Sequence, residues 1–263
     1  MLIRQRATTR SPWRWAAAGA VLGLLAALPV FAPAQWLAQG IGRVSDAQVL
    51  LQDSRGSIWS GSARLTLAGG AGSPAQASLP GRLNWQLRPV LNGLELQLQS
   101  DCCLSQPWVW RLSPNWGGWQ LSLSDSQSRW PAALLVGLGT PWNTIEPQGQ
   151  LALSTRQLAL NWAQGRLQVS GSAQLDVQDL TSRLSTLSPL GSYRLALGAG
   201  ASPQLDLSTL RGGLKLSGQG QWVGSRLRFV GQASAEPAEL NALSNLLNII
   251  GQRDGARSII KVG

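Results

Sequence analysis

The chain contains no histidine. That absence excludes Ser-His-Asp and Cys-His nucleophilic catalysis, histidine metal ligation and imidazole pH switching. Cysteine is nearly as scarce: two in 263 residues, side by side as Cys102 and Cys103. Structural zinc needs ligands spaced to converge on one ion, which this pair alone does not provide. On a strand, neighbouring side chains point to opposite faces, so the pair reads as one buried and one exposed thiol at a strand end. A bridge between the two, closing a small ring, is an alternative, as is a bridge to another molecule in an oxidising compartment. Acidic residues number only 12. The close acidic pairs are Asp176/Asp179 and Glu236/Glu239. Asp176 falls on a wet strand face, and Glu236/Glu239 suit the first turn of a helix. Such spacing does not by itself give the converging carboxylates of a glycosidase. The expectation is a chain that is not an enzyme, with no cofactor, no metal and no catalytic residue.

Charge is also in short supply, at 13% of residues, roughly half the usual share. Ser, Gln, Gly and Asn supply the polar surface instead. The balance is nonetheless basic, +10 overall, and the cations are almost all arginine, with lysine only at Lys215 and Lys261. Beyond the amino terminus they are scattered about one per strand: Arg64, Arg82, Arg111, Arg156, Arg166, Arg194. No run resembles a nucleic-acid patch, so nucleic acid is not an expected partner. A weakly basic body beside anionic lipid headgroups fits better.

No charged residue occurs between Trp15 and Gly42. The apolar stretch includes Leu22, Leu24, Leu25, Leu28 and Phe31, with Trp15 and Trp36 bracketing it. About 20 helical residues span the ~30 Å hydrocarbon core, and Trp prefers its boundaries. Residues 15–36 therefore read as one transmembrane anchor, although Pro29 and Pro33 would kink or end the helix early. Arg4, Arg6, Arg10 and Arg14 precede it, with no acid before Asp46, which places residues 1–14 in the cytoplasm. The rival reading is a cleaved signal peptide, with Ala32-Pro33-Ala34 resembling the cleavage site. Either way residues 43–263 reach the far side of the membrane, the periplasm of a Gram-negative cell. Mean hydropathy near zero excludes a polytopic membrane protein.

The remaining ~220 residues suffice for one large all-β unit. Leu83, Trp85 and Leu87 alternate with Asn84, Gln86 and Arg88. The same period of two recurs at Leu94–Leu98, Trp119–Leu123, Leu158–Trp162, Leu167–Val177, Leu205–Leu207, Leu214–Leu216 and Leu227–Phe229. Alternation over so many segments predicts a mainly β fold: a largely antiparallel sheet with one buried and one wet face. Turn signals fall at Asn92-Gly93, Gln164-Gly165, Gly212-Gly213 and Gly224-Ser225. Gly61, Gly171, Gly218 and Gly220, inside or beside strands, predict bulges and a curved sheet. Two short helices are expected, one from Pro131 to about Gly137 or Gly139. The other starts at Pro237, carries a stripe of Leu240, Leu243, Leu247 and Ile250, and stops at Gly251. Residues 258–262 read as a closing strand. A subdomain break near 145 is an option. Of the 13 tryptophans, Trp59, Trp85, Trp119 and Trp162 are expected in the core. Trp108, Trp110, Trp116, Trp130 and Trp142 are candidates for core under loops or for a contact surface.

Several stretches, in order, resemble one family. The run Asp53–Ala63 carries Gly56, Trp59 and Gly61 as a Gly-x-x-Trp-x-Gly element after the membrane segment. The strand Leu79–Trp85, ending in Trp85, follows it. Gly191 and Tyr193 in Leu190–Tyr193, Gly251 closing Leu246–Gly251, and Asp254-Gly255 before the last strand complete the set. Together these are similar to type II secretion system protein N, also called general secretion pathway protein N. The resemblance implies an inner-membrane, periplasm-facing accessory component of the machine that exports folded proteins across the outer membrane. It implies other inner-membrane and periplasmic secretion subunits as partners. It brings no catalytic residue, and the partner-binding residues stay unknown. The alternative function is a periplasmic lipid-handling module like the AsmA and TamB proteins, which also combine an anchor with curved sheets. An outer-membrane barrel is disfavoured, because many segments are shorter than the 9–11 residues such strands need.

Overall fold

Strict alternation leaves each strand with one apolar and one polar face, and such strands bury the apolar faces best side by side. A computed structural model of the chain, which describes residues 13–200, 202–223 and 226–263, contains one 16-stranded sheet. Its strands are β1 (Val49–Gly56), β2 (Ser60–Ala68), β3 (Gln76–Ser78), β4 (Leu83–Val90), β5 (Gly93–Ser100), β6 (Trp108–Asn115), β7 (Gly118–Leu123) and β8 (Ser126–Pro131). They continue as β9 (Gln148–Ala163), β10 (Arg166–Thr181), β11 (Gly191–Gly198), β12 (Gln204–Gly212), β13 (Leu214–Val223), β14 (Arg226–Ala235), β15 (Gln252–Asp254) and β16 (Arg257–Val262). The spatial order is β1-β2-β4-β5-β6-β7-β9-β10-β11-β12-β13-β14-β16-β15, with β3 beside β2 and β8 beside β9. Every pairing is antiparallel. The expected mainly β, antiparallel class is what forms.

At the amino end two helices replace the single one expected: α1 (Trp13–Val30) and α2 (Ala34–Val44). Pro33 precedes the first residue of α2 in an extended conformation, φ −71° and ψ 151°, so the chain cannot continue as one helix. Trp36 thus sits in α2, not at the far end of an apolar rod with Trp15. Arg14, Leu24 and Leu25 fall in α1, while Arg4, Arg6 and Arg10 lie outside the described residues. So does the expected Gly224-Ser225 turn. Among the described residues no helix is long and apolar enough to cross a membrane.

The two expected short helices are present. Ala132–Leu138 is a 3₁₀ segment after Pro131. Pro237–Glu239 forms a 3₁₀ turn leading into a helix from Leu240 to Ile250. A further one-turn helix, α3 (Trp142–Ile145), precedes Pro147, and the Leu240–Ile250 helix is α4.

Four register slips interrupt the ladder among the described residues, on β1, β9, β10 and β12, and three of them fall at residues in the left-handed conformation. On β9, Ser172 opposes Arg156 but Ser170 opposes Ala159, so β9 carries one extra residue there. The slip moves its core-facing positions from Leu151 and Leu153 to Leu158, Leu160 and Trp162. Gln157 takes the left-handed conformation, φ 47°, and its N–H donates to Asp125 Oδ1 at 2.6 Å. Asp53 on β1 and Asp179 on β10 mark equivalent slips, each with φ 49°. Asp is among the residues that tolerate this region best.

Cys102 and Cys103 are joined to each other. The expectation of two free thiols fails because residues 101–103 form a turn after β5, not strand, so the opposite-face argument does not apply. Cys103 is buried beside Leu79 and Leu134, whereas Cys102 is exposed. Alkylation of the unreduced, unfolded chain should therefore add no label, and prior reduction should add one at each cysteine. Intact-mass measurement checks this; labelling without reduction contradicts the bond.

Candidate interaction surface

Opposed residues of an antiparallel sheet share a face. Across β4, β5, β6 and β7 the register aligns Leu87, Leu96, Trp110 and Leu123. A second row joins Leu94, Leu112, Leu121, Leu160 and Val169. A third joins Pro114, Trp119, Trp162 and Leu167. The sheet thus has one continuous apolar face.

That face is covered unevenly. Over strands β11 to β14, α4 buries Leu243, Leu246 and Leu247 against Leu190, Tyr193, Leu214 and Ala233. The 3₁₀ segment puts Leu134 against Leu79 and Cys103. Helix α2 runs along β1 and packs Ala34 and Leu37 beside Ala63 and Trp85. All the cover lies toward the end where β5 leads to β6 and β10 to β11, or along the β1 margin. Toward the opposite end, where the β4–β5, β6–β7 and β9–β10 hairpins turn, the face is open. There Trp119 is 57% exposed and Trp162 47%, with Leu94 and Leu112 also exposed. The expectation that Trp119 and Trp162 are core is corrected. Alternation assigns their face, but among the described residues no element packs over it.

The polar face is a ladder of Gln, Asn and Ser stitched by ion pairs. Arg194 donates Nε and Nη2 to the two oxygens of the opposing Asp176, at 2.8 and 2.9 Å. That bidentate bond holds the Asp176 carboxyl below its ordinary range, against a smaller opposing effect of burial. Glu95 is held down likewise by Arg111 at 2.8 Å and Gln97 at 3.0 Å. Asp179 pairs with Arg211 instead, so the two aspartates of this strand do not converge. Among the described residues no three His, Cys, Asp or Glu side chains are grouped to hold a metal. Surface grooves are shallow; one of about 640 Å³ lies over Arg55, Asn84, Gln86, Gln97 and Gln99.

The residues singled out from the sequence divide into groups. Trp15, Leu22, Leu28 and Phe31 are exposed on α1 or its end, and Trp36 is exposed on α2. Gly56, Trp59, Gly61 and Trp85 come together around the β1–β2 turn. Gly56 takes φ +89°, and a β-carbon on Gly61 would lie 2.5 Å from Trp85 Cζ2. Trp85 Nε1 donates to Ile58 O at 3.2 Å, and the Trp59 carbonyl accepts the Leu87 N–H at 2.7 Å. Gly191 and Tyr193 belong to the distant α4 cluster, where a β-carbon on Gly191 would meet the Tyr193 hydroxyl at 2.8 Å. Gly251 ends α4 close to the β16 backbone. These are packing nodes near α2 and α4, and Gly56, Gly61 and Trp85 also line the groove over Asn84 and Gln97. Trp116, one of the tryptophans offered by the sequence as core or contact surface, is exposed at a hairpin tip, and exposed Leu91 carries no sequence signal beyond being apolar within a turn.

A family model described as "Type II secretion system (T2SS), protein N" matches residues 47–260. That span starts just before β1 and reaches into the closing strand. No curated protein and no solved structure matches the chain.

Proposed function

Because this chain belongs to the type II secretion system protein N family, we propose that it is a non-enzymatic accessory subunit of the type II secretion machinery. In this reading residues 1–14 are cytoplasmic, the 15–36 region anchors the chain in the inner membrane, and residues 43–263 face the periplasm. Its work is contact with other inner-membrane and periplasmic secretion subunits. The observation that carries it is the family match over nearly all of the sheet. The half-open apolar face supports a binding role, since large uncovered apolar areas mark interaction sites. Tethering raises local concentration near partners, so weak contacts suffice. The test is affinity isolation of the full chain from detergent-solubilised membranes after a carbonate wash. Retention in the washed membrane and enrichment of inner-membrane secretion subunits are expected. Release by carbonate, or isolation without any such subunit, overturns the proposal.

The uncovered rows of Leu94, Leu112, Trp119 and Trp162 favour a second reading, the lipid-handling module. Native mass spectrometry separates the two: phospholipid that stays with the chain in stoichiometric amount, and is lost on Trp119→Asp, supports the second.

A further inference from the structure

We propose that the hairpin end of the sheet lies on the surface of the bilayer that the amino-terminal segment enters, with Leu91 and Trp116 in its interfacial layer. The proposal rests on the anchored reading above and goes further, giving the periplasmic body an orientation.

The chain leaves the apolar helix at this end. The Ala32 carbonyl accepts the Ile58 N–H at 3.0 Å, and Pro33 bridges to Ser57, so the exit from α1 is stitched to the β1–β2 turn. Strands β1, β2, β4, β5, β6 and β7 follow one another in the sheet. At ~4.8 Å per strand, the β4–β5 and β6–β7 turns lie within about 10–30 Å of that exit. They point the same way as the β1–β2 turn, because Ser60 opposes Gln86 and Leu94 opposes Leu112.

The tips there are apolar where hairpin turns are ordinarily polar. Leu91 is fully exposed, Val90 beside it is exposed, and Trp116 is 97% exposed. Trp is the side chain best suited to a water–lipid boundary. Charge agrees. Within three residues of the β1–β2, β4–β5, β6–β7 and β9–β10 turns stand Arg55, Arg88 and Arg166 against Glu95, and Arg226 and Arg228 open β14 at the same end. An excess of arginine suits anionic headgroups. The opposite end, closed by α4, offers no such match, since Asp101, Glu146, Glu236 and Asp254 are mixed among its cations.

The test uses the full chain, reconstituted into vesicles of phosphatidylcholine and phosphatidylglycerol. Leu91→Cys, Trp116→Cys and, at the opposite end, Ala71→Cys are each labelled with an environment-sensitive dye, without reductant so that the Cys102–Cys103 bond stays closed. Spin-labelled lipid should quench the dye at 91 and 116 several-fold more than at 71, and aqueous iodide should show the reverse order. Equal behaviour at all three positions, in protein that resists carbonate extraction, overturns the orientation and leaves these tips to a protein partner. Protein that carbonate releases overturns the anchored reading itself, and the orientation with it.

Discussion

Replacing Trp85 with alanine is expected to destabilise the chain by about 3–5 kcal/mol, the usual cost of truncating a buried tryptophan. Trp85 is 4% exposed and stands where α2, β1, β2, β4 and β5 meet, among Ala34, Ala63, Leu51, Leu96 and Leu98. Its Nε1 donates to Ile58 O in the β1–β2 turn, and its ring lies over the bare backbone of Gly61. The truncation therefore opens a cavity, strips the Ile58 carbonyl of a partner and frees α2 from the sheet at once. Trp85→Phe keeps most of the ring and loses mainly the hydrogen bond, so about 1–2 kcal/mol is expected. A urea titration followed by circular dichroism of the sheet separates the two variants. Tryptic cleavage after Arg43, an exposed residue near the end of α2, should also accelerate in Trp85→Ala. An alanine variant with an unshifted midpoint would show that α2 is held some other way.

The face that Trp85 belongs to was readable because period-two alternation is a backbone property and needs no partner to express it. Leu83, Trp85 and Leu87 could be assigned to one side of β4 from spacing alone. What spacing cannot say is whether anything lies over that side. Trp119 and Trp162 alternate as cleanly as Trp85 and are half exposed, because among the described residues no helix packs over their part of the sheet. Of the glycines that suggest bulges, Gly171 sits at one, with φ +74°, whereas Gly61, Gly218 and Gly220 pair in regular register. The slips at Asp53, Gln157 and Asp179 were not foreseeable, since residues with a β-carbon give little local warning of a left-handed turn. Helix α2 was hidden by composition. Its apolar residues continue those of α1 without a charged break, and only Pro33 marks the boundary. The bond between the cysteines has a local cause, since residues 101–103 form a turn and not a strand end.

These differences bear on function in one direction. The packing nodes were legible, since Gly56, Gly61, Gly191 and Gly251 are places where another atom occupies the space of a side chain. The uncovered apolar face is legible only in part, through Trp116, because it is defined by what the described chain leaves bare. The residues that hold the fold carry the family resemblance, while exposed Leu91 looks like any apolar side chain and Trp116 stands out only as one of the tryptophans of the middle region.

Alkaline pH is expected to unfold this chain through one phenol. Tyr193 is the sole tyrosine, 2% exposed, and its hydroxyl donates to Leu214 O at 3.0 Å. Burial pushes its pKa well above the ordinary phenol value of about 10. The folded state therefore keeps its proton where the unfolded chain has lost it. Above about pH 10 the unfolded state binds fewer protons, so stability falls as pH rises, by about 1.4 kcal/mol per pH unit, until the folded phenol itself ionises. Below the unfolded pKa the full contribution is present. The bridged cysteines do not titrate and so do not obscure the transition. Tyrosinate absorbance should appear only together with loss of the β-sheet dichroism. In Tyr193→Phe the Leu214 carbonyl loses its donor, which costs about 1–3 kcal/mol at neutral pH, but the steep alkaline slope disappears. The two stability curves should accordingly converge as the solution is made more basic. Tyrosinate absorbance that titrates near pH 10 in chain that is still folded would contradict the burial of this hydroxyl, and with it the packing of α4 on the sheet.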